Sequence, residues 1–154
     1  MKIDDEIKGH FRNDYHRGII NLVFTVKQLL YEFLKLLKQH GLTEQQFHVL
    51  RILRENNSNS PLSIGFIKDH MLDYDSDVSR LIDRLYVKKL VNRKENRSDR
   101  RQKSVEITQK GLILLEKMSL VEQKEDTLLK NLTKEEIKEF NHLLDKVREG
   151  KNNL

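Results

Sequence analysis

Between Asp73 and Gly111 the spacing of apolar residues changes period twice. Val78, Leu81, Ile82 and Leu85 recur at the three-and-four spacing of one helix face. The residues from Val91 to Glu95 and from Ser104 to Ile107 then alternate apolar and polar, the period of a half-buried strand. A charged tip, Glu95 to Lys103, lies between them, and its Asn96 and Ser98 are ordinary turn formers. Helical spacing resumes beyond Thr108 and Gly111. Few architectures accept helix, strand, basic hairpin, strand and helix in that order. The pattern predicts a mainly α fold with a small β-hairpin wing, a winged helix-turn-helix.

The charge on that hairpin points to a polyanion. From Arg84 to Lys103 stand nine basic residues (Arg84, Lys88, Lys89, Arg93, Lys94, Arg97, Arg100, Arg101 and Lys103) against Glu95 and Asp99 alone. That local excess is larger than the net charge of +5 for all 154 residues, so the remaining chain is slightly acidic. A basic cluster on a weakly acidic body favours one local contact over general stickiness. The chain has no cysteine, which excludes disulfides, thiolate metal sites and cysteine redox switches. No apolar run is long enough to span a bilayer, and the N-terminus lacks the apolar core of a signal peptide. A cytoplasmic protein with no membrane partner is expected.

Residues 1–40 carry a single helical pattern. Ile19, Val23, Val26, Leu30, Phe33 and Leu37 form a heptad-like stripe, widened by Leu22, Leu29, Leu34 and Leu36. One face is expected to meet its own domain and the other a second subunit. Gly18 predicts a bend or a loosened start. Gly41 stops the helix, and Thr43 with Gln46 forms a capping box for a second one, carrying Phe47, Leu50, Ile52 and Leu53. Asn56 to Pro61 reads as a mobile loop. Ser63 caps a third helix, Ile64 to Met71, and the Asp73-to-Asp77 turn leads into a fourth that runs to about Lys89. Beyond the wing, Leu112, Leu115, Met118 and Val121 line a fifth helix. Leu128, Leu129 and Leu132 mark a weaker stretch. A Thr133–Glu136 capping box opens the last helix, with Ile137, Phe140, Leu144 and Val147 on one side and Gly150 at its end. The organisation expected is a single domain over 1–154, with dimerisation helices at 1–40 and 112–150 around a winged-helix lobe at 41–111.

Asp99-Arg100-Arg101, then Val105, Ile107-Thr108 and Gly111, resemble the D-x-R and (L/I)-T-x-x-G wing signature of the MarR family of bacterial transcription regulators. The segment from Val78 to Leu85 resembles that family's recognition helix, and Lys89-Leu90-Val91 its approach to the wing, so the likeness covers essentially the whole chain. The resemblance implies a sequence-specific binder of double-stranded DNA and not an enzyme. It implies a homodimer acting as a ligand-responsive repressor on a pseudo-palindromic operator, with each recognition helix in a major groove and each wing at a minor groove. It places Arg101 in the minor groove with Asp99 fixing it through an ion pair. It also implies an effector pocket where the dimerisation helices meet the DNA-binding lobe. Here that pocket would draw on Tyr15, His16, Phe24, Tyr31, Phe47 and His48 and take a small anionic or phenolic molecule. The chain departs from the family at Asp73, Asp75 and Asp77, where neutral or basic polar residues are usual. Aspartates suit a helix N-terminus and its dipole; Asp77 could instead accept from a cytosine amino group or orient Arg80.

The residues expected to meet DNA are Ser76, Asp77, Ser79, Arg80 and Arg84 on the recognition helix. Arg97, Asp99, Arg100, Arg101 and Lys103 join them on the wing. Arg80 is the candidate for reading guanine, with pairing to Asp77 or Asp83 as the competing role. Arg84 sits a turn further on and is the more structural of the two. No cofactor is implied. Asp73-x-Asp75-x-Asp77 opens like a calcium loop, but Val78 stands where glycine is needed and Arg84 where a glutamate would close it. The six histidines show no tight helical ligand spacing, and no metal site is expected. No phosphate-cradling glycine loop or nucleophile–base motif supports an enzyme. Two other readings stay open: a winged helix that contacts protein, and a weakly specific architectural DNA-binding protein.

Overall fold

Each helix of the N-terminal unit begins on a cap that the sequence itself supplies, or ends on one. The computed structural model describes residues 2–73, 75–95, 103–119, 127 and 129–149. A single turn, α1 (Ile3–Glu6), precedes the long α2 (Asp14–Gln39). The expected single helix over residues 1–40 is therefore split. Asn13 accepts the His16 amide at 2.9 Å and starts a new helix there, while Asp4 pairs with Arg17 and ties the short turn to the long helix. Helix α2 runs through Gly18 uninterrupted, because one glycine costs a helix only about 1 kcal/mol. It ends on Gly41, at φ +66°. Leu42 N donates to Leu37 O at 2.9 Å and Gly41 N to Lys38 O at 3.0 Å, a Schellman closure.

Helix α3 (Glu44–Glu55) opens on the predicted capping box: Gln46 N donates to Thr43 Oγ1 at 3.2 Å and Thr43 N to Gln46 Oε1 at 3.3 Å. It buries Phe47, Val49, Leu50, Ile52 and Leu53. Phe47 meets Phe33 of α2 edge-on, with ring centroids 5.3 Å apart. The Asn56-to-Pro61 loop holds a 3-10 turn over Asn57–Asn59. Next comes β1 (Leu62–Ser63), too short to show an alternation in the sequence. It pairs with the wing, Leu62 opposite Val105 and Ser63 opposite Ser104. The sheet thus has three strands, not the two of the hairpin.

Helix α4 (Ile64–Asp69) is capped by Ser63 Oγ, which accepts from Phe66 N at 3.1 Å. It stops short of the expected Met71, although Met71 is still buried. Helix α5 (Val78–Val87) buries the predicted stripe of Val78, Leu81, Ile82 and Leu85. Strands β2 (Val91–Glu95) and β3 (Lys103–Ile107) pair antiparallel, from Val91 opposite Ile107 to Glu95 opposite Lys103, giving the order β1-β3-β2. Helix α6 (Gln109–Lys117) follows. Leu37, Leu50, Ile67, Ile82, Leu85, Val105 and Leu115 are fully buried, each contributing about 1.5–3 kcal/mol relative to exposure.

Contacts divide the chain into two units, Met1–Glu116 and Lys117–Leu154. In the second, α7 (Lys134–Glu149) opens on its predicted capping box: Thr133 N donates to Glu136 Oε2 at 2.8 Å and Glu136 N to Thr133 Oγ1 at 3.2 Å. None of its residues is fully buried, and Leu143 and Val147 are exposed. Val121, Leu128 and Gly150 lie outside the described residues. Helix α2 likewise buries only Phe33 and Leu37, leaving Ile19, Leu22, Val23 and Val26 open.

Candidate nucleic-acid interface

The turn between α4 and α5 decides what α5 can present. Asp73 accepts from Gln45 Nε2 at 2.6 Å, which fixes the turn to α3. Asp77 accepts the Arg80 amide at 3.1 Å as the N-cap of α5, where its charge also suits the helix dipole. Two of the three unusual aspartates therefore have structural partners, and Asp75 is exposed. Ser76 faces inward: it is only 6% exposed, and among the described residues its hydroxyl has no hydrogen-bond partner. Ser79, Arg80 and Arg84 are exposed. Among the described residues Arg80 has no ion-pair partner, since Asp77 caps the helix and Asp83 is paired with Arg93.

The far end of α5 sets the root of the wing. Leu90 N donates to Leu85 O at 3.0 Å and Lys89 N to Tyr86 O at 2.8 Å, a second Schellman closure. Lys89 adopts φ +60° where glycine is usual. Thr108 Oγ1 donates to Lys89 O at 2.8 Å and accepts from Gly111 N at 3.1 Å, while Lys110 Nζ donates to Lys88 O at 2.9 Å. The Ile107-Thr108-x-x-Gly111 signature is thus a fastening between the end of α5 and the start of α6. Its hydroxyl satisfies orphan groups of both helices.

Among the described residues, three of the clustered basic side chains are committed within the protein. Arg93 lies opposite Val105 in the sheet, on the side that packs toward the helices. Its guanidinium pairs with Asp83 and lies over the Tyr86 ring, 4.8 Å from the centroid. Lys94 Nζ pairs with Glu106 at 2.8 Å. Lys88 Nζ donates to Gly41 O and, at 3.2 Å, to Gln46 Oε1. Counting charges along the sequence missed these partners. The Val91-x-Arg93 alternation was the available signal that Arg93 points to the core side. Lys103, at the start of β3, is exposed. Arg97, Asp99, Arg100 and Arg101 lie outside the described residues.

The six effector-pocket candidates do not converge within one chain. Tyr15 is 86% and Tyr31 64% exposed, Phe24 is half-buried, and Phe47 belongs to the core. His16 accepts the Arg12 amide at 3.2 Å and meets Phe11 edge-on. Tyr15 lies roughly 27 Å along α2 from Phe33, the neighbour of Phe47, at 1.5 Å per residue. Of the six, His48 alone lines one of the described clefts, a space of about 320 Å³ bordered by Thr43, Met71 and Asp73. Burial, and secondly the Arg51 charge, push the His48 pKa below its ordinary 6.5, with Glu55 and Glu44 opposing. Among the described residues no group of three or more His, Asp or Glu could hold a metal ion. Among them, too, no helix is long and apolar enough to cross a membrane.

A family model for the MarR family matches residues 42–103. Compared with curated proteins, the chain finds no match. Solved structures do match. The MepR–DNA complex of S. aureus is 24% identical with a TM-score of 0.73, over 92% of this chain and 99% of that one. A mutant MarR from E. coli complexed with operator DNA is 26% identical with a TM-score of 0.70, over 90% and 99%. BpsR of Bordetella bronchiseptica, whose DNA binding is regulated by 6-hydroxynicotinic acid, is 25% identical with a TM-score of 0.67, over 86% and 98%. Residues 42–103 are thus similar to the MarR family, and the chain has the winged helix-turn-helix fold of those DNA-complexed transcription regulators.

Proposed function

We propose that the protein is a homodimeric, ligand-responsive repressor that binds a pseudo-palindromic duplex through α5 and the wing. The observation that carries this reading is Arg80. It is exposed on the first turn of α5 and free of both neighbouring carboxylates. A guanidinium so placed reads guanine O6 and N7 together, a contact worth ~1–3 kcal/mol of discrimination. Ser79 stands beside it, and Arg84 and Lys103 supply charge for phosphates. By their place in the wing motif, Arg97, Arg100 and Arg101 would reach phosphate or the minor groove, and the resemblance gives Asp99 the role of fixing Arg101. Ser76 and Asp77 shape the helix start instead of touching bases.

The open apolar stripes of α2 and α7 support a second copy as the partner. The aromatic acid that regulates BpsR supports a small anionic or phenolic effector for this chain too. Such a ligand would act by favouring one spacing of the two α5 helices.

Selection of bound fragments from genomic DNA at physiological salt, followed by binding isotherms over a salt series, tests the reading. Recovery of a two-fold-related motif, with affinity falling steeply as salt rises, is the expected result. Equal affinity for unrelated duplexes would mean an architectural role, and weak salt dependence a surface that meets protein.

A further inference from the structure

We propose that Arg93, Asp83 and Tyr86 form a clamp that sets the wing against α5, making all three positioning residues for DNA binding. The inference rests on the reading of α5 and the wing as the DNA-binding pair.

The wing meets α5 at the Lys88-to-Leu90 turn, and its β3 side is held by β1 and by the Thr108 fastening. Arg93 is the side chain that ties the β2 side directly to the outer face of α5. Asp83 and Tyr86 are three residues apart and so neighbours on one face of α5. The guanidinium takes the carboxylate through Nη2 while its Cζ lies over the phenol ring. Two contacts at different angles to a planar group fix orientation as well as distance, which a lysine could not do.

Asp83 is 64% and Arg93 31% exposed, and an ion pair this open contributes little to stability. Its consequence is geometric: it aims the basic tip relative to Arg80. It has a second effect on α5 itself. Asp83 follows Arg80 by three residues, the spacing at which a free carboxylate would capture the arginine. By holding Asp83, Arg93 leaves Arg80 open.

The clamp makes a prediction opposite in sign to simple charge counting. Removing a negative charge beside DNA should tighten binding if Asp83 is only a nearby carboxylate. If it anchors the wing, Asp83→Asn should weaken binding. The probes are a labelled duplex recovered by selection and a scrambled duplex of equal length, titrated by fluorescence anisotropy over a salt series. Asp83→Asn, Arg93→Gln and Tyr86→Leu should each lose on the order of tenfold in affinity for the selected duplex, from one ion pair and one cation–π contact. The salt slope and the thermal midpoint should stay at their wild-type values. Asp83→Asn combined with Arg93→Gln should cost no more than either alone, and Arg93→Lys should fall between wild type and Arg93→Gln. Equal or tighter binding by Asp83→Asn would overturn the clamp. So would a salt slope lowered by about one in Arg93→Gln, the mark of a lost phosphate contact. A wild-type protein with no salt-sensitive duplex binding would sink the underlying DNA reading, and the clamp with it. Failure of the clamp alone leaves wild-type binding intact.

Discussion

Gly111 lies against the Leu90 carbonyl so closely that a Cβ built on it would stand 2.5 Å from the oxygen and 2.7 Å from Ile107 Cγ1. Only glycine fits there, because the obstacle is backbone and cannot swing aside. Gly111→Ala should destabilise the fold by about 1–3 kcal/mol, the cost of overpacking a close contact. Urea denaturation would show a lower midpoint at unchanged m. Thr108→Val removes the neighbouring hydroxyl, with its bonds to Lys89 O and Gly111 N, and should cost about 1–2 kcal/mol.

Lys89 makes the opposite case. Its φ of +60° places a side chain in a conformation that costs an L-residue about 1–2 kcal/mol, while glycine in its place gives up about 0.5–1 kcal/mol of unfolded-chain entropy. Lys89→Gly should therefore raise stability by up to about 1 kcal/mol. A higher urea midpoint is the expected reading, and a lower one would mean that Lys89 holds a contact worth more than its strain.

Asp77 separates capping from base reading. As the N-cap of α5 it accepts the Arg80 amide, so Asp77→Ala should cost about 0.5–2 kcal/mol of stability. Asp77→Asn keeps the accepting oxygen and should restore stability while discarding the charge. If Asp77 has no base to read, Asp77→Asn will also keep the wild-type order of preference among single-base variants of the selected duplex. A changed preference at one position would reassign Asp77 to the DNA.

His48 gives the pH dependence. Its folded pKa is lowered, chiefly by burial, so the fold favours the neutral ring and the unfolded chain binds the proton more readily. The stabilisation is present above the ordinary value of 6.5 and is lost as pH falls through the depressed folded value. Stability measured against pH should fall as pH drops below 6.5 toward the depressed folded value, and less steeply there in His48→Gln than in wild type. Identical slopes would mean that other groups account for the whole acid limb.

What could be read from the sequence is what is local. The Val78–Leu85 stripe, the caps at Thr43, Ser63 and Thr133, and the stop at Gly41 all depend on neighbours within one or two turns, and each is where the residues placed it. The misses share a different cause. The pairing of Leu62 with Val105, the bond from Gln45 to Asp73 and the ion pair of Arg93 with Asp83 join residues from different elements, which no period in the chain encodes. The long N-terminal pattern failed for another reason: its stripe begins at Ile19 and does not mark where the helix starts, whereas the Asn13 side chain does, by accepting the His16 amide. Within the interface, sequence pattern located α5 and the wing. It could not tell which basic residues already had partners, because charge counts carry no information on direction.

Arg80 and Arg101 should divide the work of binding. Among the described residues Arg80 has no ion-pair partner, and it stands on the first turn of α5, where a guanidinium reaches base edges; Arg101 enters by its place in the wing motif, where it would meet the narrow groove or the phosphates. A base contact is worth most against the right sequence, whereas a backbone contact is worth the same against any. Arg80→Ala should therefore lose affinity mainly for the selected duplex, shrinking the gap to the scrambled one by about 1–3 kcal/mol. Arg101→Ala should weaken both duplexes alike and lower the salt slope by about one. Equal losses from both variants on both duplexes would place the two arginines on the same backbone and leave sequence reading to other residues of α5.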